Sequence, residues 1–108
     1  MALLPCPYLG TMVELTDERR QHILLKHPDV LPEYMSHVAE TVAAPDEVRR
    51  DGRFPATRIF SRWCEDVRGG KFVVVVIVTG SSPAERSWVV TAYITRKLTQ
   101  GVVEWRRS

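Results

Sequence analysis

The chain has few of the residues and segments that define several common protein classes. It contains only two cysteines, Cys6 and Cys64, which lie far apart and outside any Cys-x-x-Cys motif. This count excludes a disulfide-rich scaffold and gives no zinc-ligand pattern. No apolar run approaches the roughly 18 residues that cross a bilayer, and the first residues lack the basic start of a signal peptide. We therefore expect a cytoplasmic protein with reduced thiols and no membrane partner.

The motifs of several enzyme classes are also missing from the sequence. Gly69-Gly70 lacks the strand, loop and helix context of a phosphate-binding loop, and Ser81-Ser82 lies in no nucleophile elbow. His22 and His27 are five residues apart, so on a helix they diverge and are poorly placed to chelate one metal. We expect neither a metal nor another cofactor.

Length and charge place limits on the fold and on its partners. With 108 residues, of which 44% are hydrophobic, the chain can form one core, so a single domain over residues 1–108 is expected. Residues 1–54 carry six Lys and Arg against nine Asp and Glu, and residues 55–108 carry nine against four. Twelve of the fifteen basic residues are Arg, which suits phosphate contacts. The second half thus favours a phosphate-bearing partner, unless a general Arg bias of the coding sequence explains it.

The first half of the chain has helical features. Residues 1–10 are predicted to form an irregular arm, and residues 12–15 a short edge strand. Thr16 is a predicted N-cap, and the helix that it begins should end at Pro28. Apolar residues at helical spacing predict a second helix over about residues 32–44.

The second half shows the two-residue alternation of strands. Strands are predicted at residues 57–63, 71–78, 88–95 and 102–105, with a short one near residues 47–49. Glycine-containing turns at Gly69-Gly70 and Gly80-Ser81-Ser82-Pro83 leave no room for crossover helices, which favours an antiparallel meander around a central strand 72–78. The predicted fold class is therefore α+β, with two N-terminal helices packed on one face of a mostly antiparallel sheet of four to five strands.

Hydroxyl and guanidinium groups alternate along two of these strands. Thr91, Tyr93 and Thr95 share one face of their strand, and Arg58 and Arg62 share one face of theirs. If the two faces coincide, guanidiniums and hydroxyls would line an oxyanion or phosphate site. The alternative is a solvent-facing sheet surface, where these residue types are common.

Histidine is the residue type suited to general acid–base chemistry near neutral pH. His22 and His27 belong to the first predicted helix, and His37 lies on the second beside Glu33 and Glu40, as a surface residue would. For His22, the alternative is a helix-surface histidine bonded to a backbone carbonyl.

Several segments, taken in order, resemble a known bacterial family. They are Leu15-Thr16-Asp17-Glu18-Arg19, His22-Ile23, Lys26-His27-Pro28-Asp29, Pro45-Asp46-Glu47-Val48, Arg58-Ile59-Phe60, Lys71-Phe72-Val73-Val74-Val75, Val90-Thr91-Ala92-Tyr93 and Gly101-Val102-Val103-Glu104-Trp105. This set is similar to small phage- and toxin-associated domains of the barnase, EndoU, colicin and RelE-like RNase superfamily. The resemblance covers nearly the whole chain from Leu15.

The resemblance implies RNA cleavage by attack of the 2′-hydroxyl, giving a cyclic phosphate without a metal. It makes His22 the first acid–base candidate and His27 the second. Arg58 would bind the scissile phosphate, and Thr91 and Tyr93 would orient it or donate a proton. The further residues expected to bind RNA or its phosphates are Arg62, Lys71, Thr95 and Arg96. RNA is thus the expected partner, and an antitoxin or immunity protein would restrain the enzyme.

Two other functions are compatible with the same sequence. The first is a non-catalytic module that binds RNA or a protein through the basic sheet. The second is an accessory protein that forms a homodimer through an exposed sheet edge.

Overall fold

A single mixed sheet organises the chain in this computed structural model, which describes residues 1–80 and 86–108. The elements are, in chain order, β1 (Ala2–Cys6), β2 (Thr11–Leu15), α1 (Asp17–Lys26), α2 (Met35–Ala43), β3 (Glu47–Arg50), β4 (Thr57–Cys64), β5 (Lys71–Val78), β6 (Trp88–Thr95) and β7 (Val102–Arg106). The strands lie side by side in the order β1-β2-β6-β5-β4-β3-β7. Strand β5 is therefore central, as predicted from its apolar character.

The predicted fold class is wrong in the extent and the kind of the sheet. The sheet has seven strands rather than four or five, and it is mixed, because β2 pairs with β6 in parallel at Glu14 and Trp88. Residues 1–10 are not an irregular arm, since β1 forms a hairpin with β2. Pro5 is compatible with this strand because β1 is an edge strand, where the missing N–H of proline is tolerated.

The last connection also departs from the predicted meander. After β6, residues 96–101 cross β5, β4 and β3, and β7 then pairs with β3 at the opposite edge. The predicted meander would have left β7 beside β6. Two-residue periodicity identifies strands but not their neighbours, so it could not show this crossing.

Most local predictions are confirmed. Thr16 caps α1 by accepting a hydrogen bond from the backbone N–H of Arg19, and α1 ends before Pro28. Helix α2 begins at Met35, three residues later than predicted. The strands of the second half agree with their predicted bounds to within one residue. In the predicted turn at Gly80-Ser81-Ser82-Pro83, residues 81–83 lie outside the described part of the chain.

Different segments of the chain cover the two faces of the sheet. We call the face that α1 and α2 cover the helix face; its core includes Phe60, Val75 and Ala92, which are all fully buried. We call the opposite face, which residues 96–101 cross, the loop face. Ile59 and Val74 on that face are also buried. Neither helix is long and apolar enough to cross a membrane, within the described residues.

The crossing segment approaches the sheet closely at Gly101. Its φ is +79°, and a Cβ added there would lie 2.7 Å from the Arg50 carbonyl oxygen and 3.2 Å from Ile59 Cδ1. Only glycine satisfies both the left-handed backbone and this contact with backbone atoms. The crossing thus depends on one residue without a side chain.

Gly101→Ala should therefore lower the free energy of unfolding by about 2–4 kcal/mol, which combines left-handed strain with overpacking. The matched control is Gly10→Ala. Gly10 has a similar φ of +68°, but an added Cβ would have no atom within 4 Å. Urea denaturation of both variants measures the difference, and equal losses would contradict a tight crossing.

Candidate functional site

Strand β6 presents hydroxyl groups on the loop face. Thr91 pairs with Val76 and Tyr93 with Val74, so both point away from the core residues that alternate with them. Both side chains are half-buried. The hydroxyl oxygen of Thr91 is shielded from solvent and has no hydrogen-bond partner within the described part of the chain. A buried hydroxyl oxygen without a partner is uncommon in folded proteins.

Helix α1 runs beside β6 in the same direction. Near its start, Arg19 shares a small pocket with Trp88 of β6, and just past its end the ring of His27 lies 6.0 Å from the ring of Tyr93. His22 is half-buried on α1, five residues before His27, so the two side chains diverge around the helix. The structure thus brings His27, Thr91 and Tyr93 to one edge of the sheet, and His22 lies on the helix that borders this edge.

Arg49 of β3 supplies the positive charge on this face. Burial raises the pKa of Tyr93, and the nearby Arg49 guanidinium acts in the opposite direction. Arg49 donates hydrogen bonds to Glu47 at 2.8 Å and to the Gln100 carbonyl oxygen at 3.3 Å. Tyr93 therefore keeps its proton at neutral pH, and Arg49, which the crossing segment holds in position, acts on it as a charge across β5 and β4.

Arg58 does not join this site. It pairs with Ile77, which is buried in the helix-face core, whereas the neighbouring Val76 pairs with Thr91. Adjacent residues of a strand point to opposite faces, so Arg58 and Thr91 lie on opposite sides of the sheet. The two polar faces that the sequence analysis joined therefore do not coincide. Arg58 instead donates to Glu104 at 2.8 Å and to Thr79 at 2.9 Å.

The predicted RNA-binding residues also divide between the two faces. Arg62 and Lys71 project on the helix-face side, where Arg62 donates to the Ala44 carbonyl oxygen and Lys71 Nζ donates to carbonyl oxygens of the β4–β5 hairpin. Thr95 and Arg96 belong to the loop-face side. The Thr95 hydroxyl is bonded to the backbone of Lys97, so it orders the turn rather than facing a ligand.

A basic pocket of about 540 Å³ adjoins Arg49 on the loop face. Its lining contains five cationic side chains and two carboxylates. The lining residues are Asp46, Glu47, Arg49, Ser61, Phe72, Arg96, Lys97, Leu98, Arg106, Arg107 and Ser108. We call this site the basic pocket; its size and excess of positive charge fit a phosphate-bearing ligand.

The two carboxylates of the basic pocket are already paired. Burial acts to raise the pKa of Glu47, but hydrogen bonds from Arg106 and Arg49 outweigh it, so the pKa lies below its ordinary value. Arg107 lies 2.7 Å from an Asp46 carboxylate oxygen. In residues 1–80 and 86–108, no carboxylate forms an ion pair with Arg96 or Lys97. These two exposed cations are therefore the ones free to meet an anion.

The sequence analysis overlooked Arg49, Lys97 and Arg106 as site residues. The alternation of β3 was the only available signal for Arg49, since it places Glu47 and Arg49 on one face. This alternation identifies a site residue only when the strands beside β3 are known. For metal binding, the described residues hold no cluster of three or more His, Cys, Asp or Glu side chains suited to an ion.

Comparisons with known proteins do not assign the chain to a family. No protein-family model matches it, and neither the curated proteins nor the solved structures contain a significant match. The resemblance to the RNase superfamily stays a prediction, and functional inference depends on the site itself.

Arg58 belongs to a network of hydrogen bonds on the helix face. Glu104 accepts hydrogen bonds from Tyr8, Arg50 and Arg58. Burial acts to raise the pKa of Glu104, but the hydrogen bonds from Tyr8 and Arg58 outweigh it and lower the pKa. Burial and the bond to Glu104 raise the pKa of Tyr8 to about 12. This network fastens the β1–β2 turn to β7.

Glu104→Gln should lower the free energy of unfolding by about 1–3 kcal/mol near neutral pH, because three donors lose a charged acceptor. A carboxylate whose folded pKa is lowered stabilises the fold above its ordinary pKa, and this stabilisation disappears as the pH falls through the folded pKa. The difference between variant and wild type should therefore shrink at about pH 3. Urea denaturation near neutral pH and at about pH 3 measures this difference. Glu40→Gln, which removes an exposed carboxylate of α2, is the control; an equal loss there would contradict the assigned role.

Proposed function

We propose that the protein is a metal-independent, toxin-like endoribonuclease with its active site on the loop face, at the edge where α1 borders β6. The observation that carries this proposal is the approach of His27 to Tyr93, with ring centres 6.0 Å apart, on the face that also carries Arg49 and the basic pocket. An imidazole, a protonated phenol and a guanidinium are the groups that phosphodiester transesterification uses. Arg58 has no part in the proposed site.

The proposed reaction needs one proton to leave and another to arrive. The 2′-oxygen bonds to phosphorus, the bond from phosphorus to the 5′-oxygen breaks, and a 2′,3′-cyclic phosphate forms. One imidazole takes the proton of the 2′-hydroxyl, and a second, protonated imidazole gives a proton to the 5′-oxygen. His27 is the candidate beside Tyr93, and His22 of the same helix is the candidate for the second imidazole.

Charge that develops on the phosphate oxygens needs donors on the protein. Arg49 provides a guanidinium that also donates to Glu47 and to the Gln100 carbonyl oxygen. Thr91 provides a hydroxyl that has no protein partner within the described residues, and a ligand reaches it once the side chain turns outward. Burial keeps Tyr93 protonated, which suits a hydrogen-bond donor better than a proton-transfer group. These three side chains would stabilise the pentavalent intermediate.

The site of action that fits this chemistry is the cytoplasm. Cys6 and Cys64 are both free and buried, which supports a reducing compartment. Restraint by an antitoxin or immunity protein stays a prediction, as does a homodimer.

A second candidate is a module that binds RNA without cleaving it. The basic pocket favours this function independently of the histidines, since Arg96 and Lys97 would attract phosphates whether or not a reaction follows. It differs from the first candidate in one respect: RNA would be retained intact by the wild-type protein.

His27→Ala should reduce cleavage of total RNA in EDTA by about 10²-fold or more, because the site loses an acid–base group. Tyr93→Phe should also reduce it, since one donor to the phosphate is removed. The measurement is gel analysis of fragments, with detection of cyclic-phosphate ends. Circular dichroism of each variant checks that the fold is retained.

His37→Ala and Arg58→Lys are the matched controls. His37 lies on α2 and contacts Asp66, away from β6, and Arg58 lies on the opposite face of the sheet. Both variants should keep most of the activity if they fold. Loss of cleavage in His37→Ala equal to that in His27→Ala would refute the site, and intact RNA with the wild type would favour the binding module.

A further inference from the structure

A pair of aromatic rings, one exposed and one half-buried, borders the basic pocket on the loop face. Trp63 of β4 is 40% exposed, and its ring lies 5.0 Å from that of Phe72 in an edge-to-face arrangement. Phe72 itself lines the basic pocket. The backbone N–H of Trp63 donates to Asp46, another residue of the lining. The tryptophan therefore stands at the rim of the pocket.

The Trp63 ring is held in place on several sides. A Cβ on Gly70 would lie 2.7 Å from the ring, so the ring packs directly against that backbone. Its indole N–H donates to Glu65 at 2.8 Å. Because the ring is already held in one orientation, little side-chain entropy would be lost when a ligand binds to it.

From this arrangement we infer that Trp63, Phe72 and the basic pocket form a subsite for a nucleotide of single-stranded RNA that flanks the cleaved bond. The inference rests on the proposed function, since it takes RNA as the substrate. A phosphate enters the basic pocket near Arg96 and Lys97, and the base attached to it stacks on Trp63. Stacking on an exposed ring requires an unpaired base, which selects single strands over duplexes.

The spacing of residues in the sheet sets the distance between the proposed active site and the Trp63 subsite. Tyr93 pairs with Val74, and Thr95 pairs with Phe72, two residues further along the same face. The step between these rows is about 6.6–7 Å along the strand, and Trp63 lies two strands across from Thr95, about 9–10 Å, so about 12 Å separate the backbones of Tyr93 and Trp63. This distance is about two phosphate spacings of an extended strand, so the base on Trp63 belongs to a nucleotide about two positions from the one that meets His27 and Tyr93.

The test uses wild-type protein and a labelled 2′-O-methyl RNA of about eight nucleotides, which has no attacking hydroxyl. Fluorescence anisotropy compares this single strand with its duplex. Trp63→Ala should weaken single-strand binding by about fivefold to a hundredfold, whereas Trp63→Phe should retain most of it. The single strand should bind more tightly than the duplex.

The charged part of the subsite is tested separately. The double variant Arg96→Gln with Lys97→Gln should weaken binding and lower the slope of log K against log salt by about 1.4. Arg20→Gln with Arg53→Gln removes two exposed cations elsewhere and is the matched control. Equal weakening by both pairs, or unchanged binding in Trp63→Ala together with equal affinity for the duplex, would overturn the subsite.

Failure of the subsite and failure of the nuclease give different results. If wild-type protein leaves ordinary RNA intact but the 2′-O-methyl strand binds through Trp63, the subsite stands and the catalytic proposal falls. If RNA is cleaved in a His27-dependent manner but Trp63→Ala binds normally, only the subsite falls.

Discussion

The crossing of residues 96–101 over the loop face is the constraint on which the rest of the structure depends. It lets β7 pair with β3 at the far edge of the sheet, and at Gly101 it packs against the buried Ile59. Without this cover, the loop face would expose the apolar residues that alternate with the helix-face core. The segment that provides the cover also carries Arg96 and Lys97, so the cations of the basic pocket result from the same connection that completes the sheet.

The two faces of the sheet use arginine for different purposes. On the helix face, Arg58 shares Glu104 with Tyr8 and Arg50, so its charge is neutralised within the fold. On the loop face, cations outnumber carboxylates, and the excess charge has to meet solvent or a ligand. The net charge of a sequence segment does not distinguish these two situations. The distinction comes from strand pairing, which decides which guanidinium has a carboxylate neighbour.

Local structure could be predicted from the sequence, but the neighbours of each strand could not. The Thr16 cap and the alternation of residues 88–95 depend on residues close in the chain, and both are confirmed. The β1–β2 hairpin and the β3–β7 pair depend on contacts between distant residues, which periodicity does not encode. For the same reason, alternation grouped Thr91 with Tyr93 correctly but could not show that Arg58 faces the other way.

The limited pairing between β2 and β6 explains how a histidine of a helix can reach the loop face. Glu14 and Trp88 form the one bridge between these strands in the described chain, so at Tyr93 β6 is paired with β5 on one side and has no paired strand on the other. If β2 paired with more of β6, the sheet would continue past the edge of β6, and α1 would be confined to the helix face. Because the ladder stops, α1 borders the edge of β6, and His27 reaches Tyr93 around that edge. The short parallel pairing is thus a structural requirement of the proposed site.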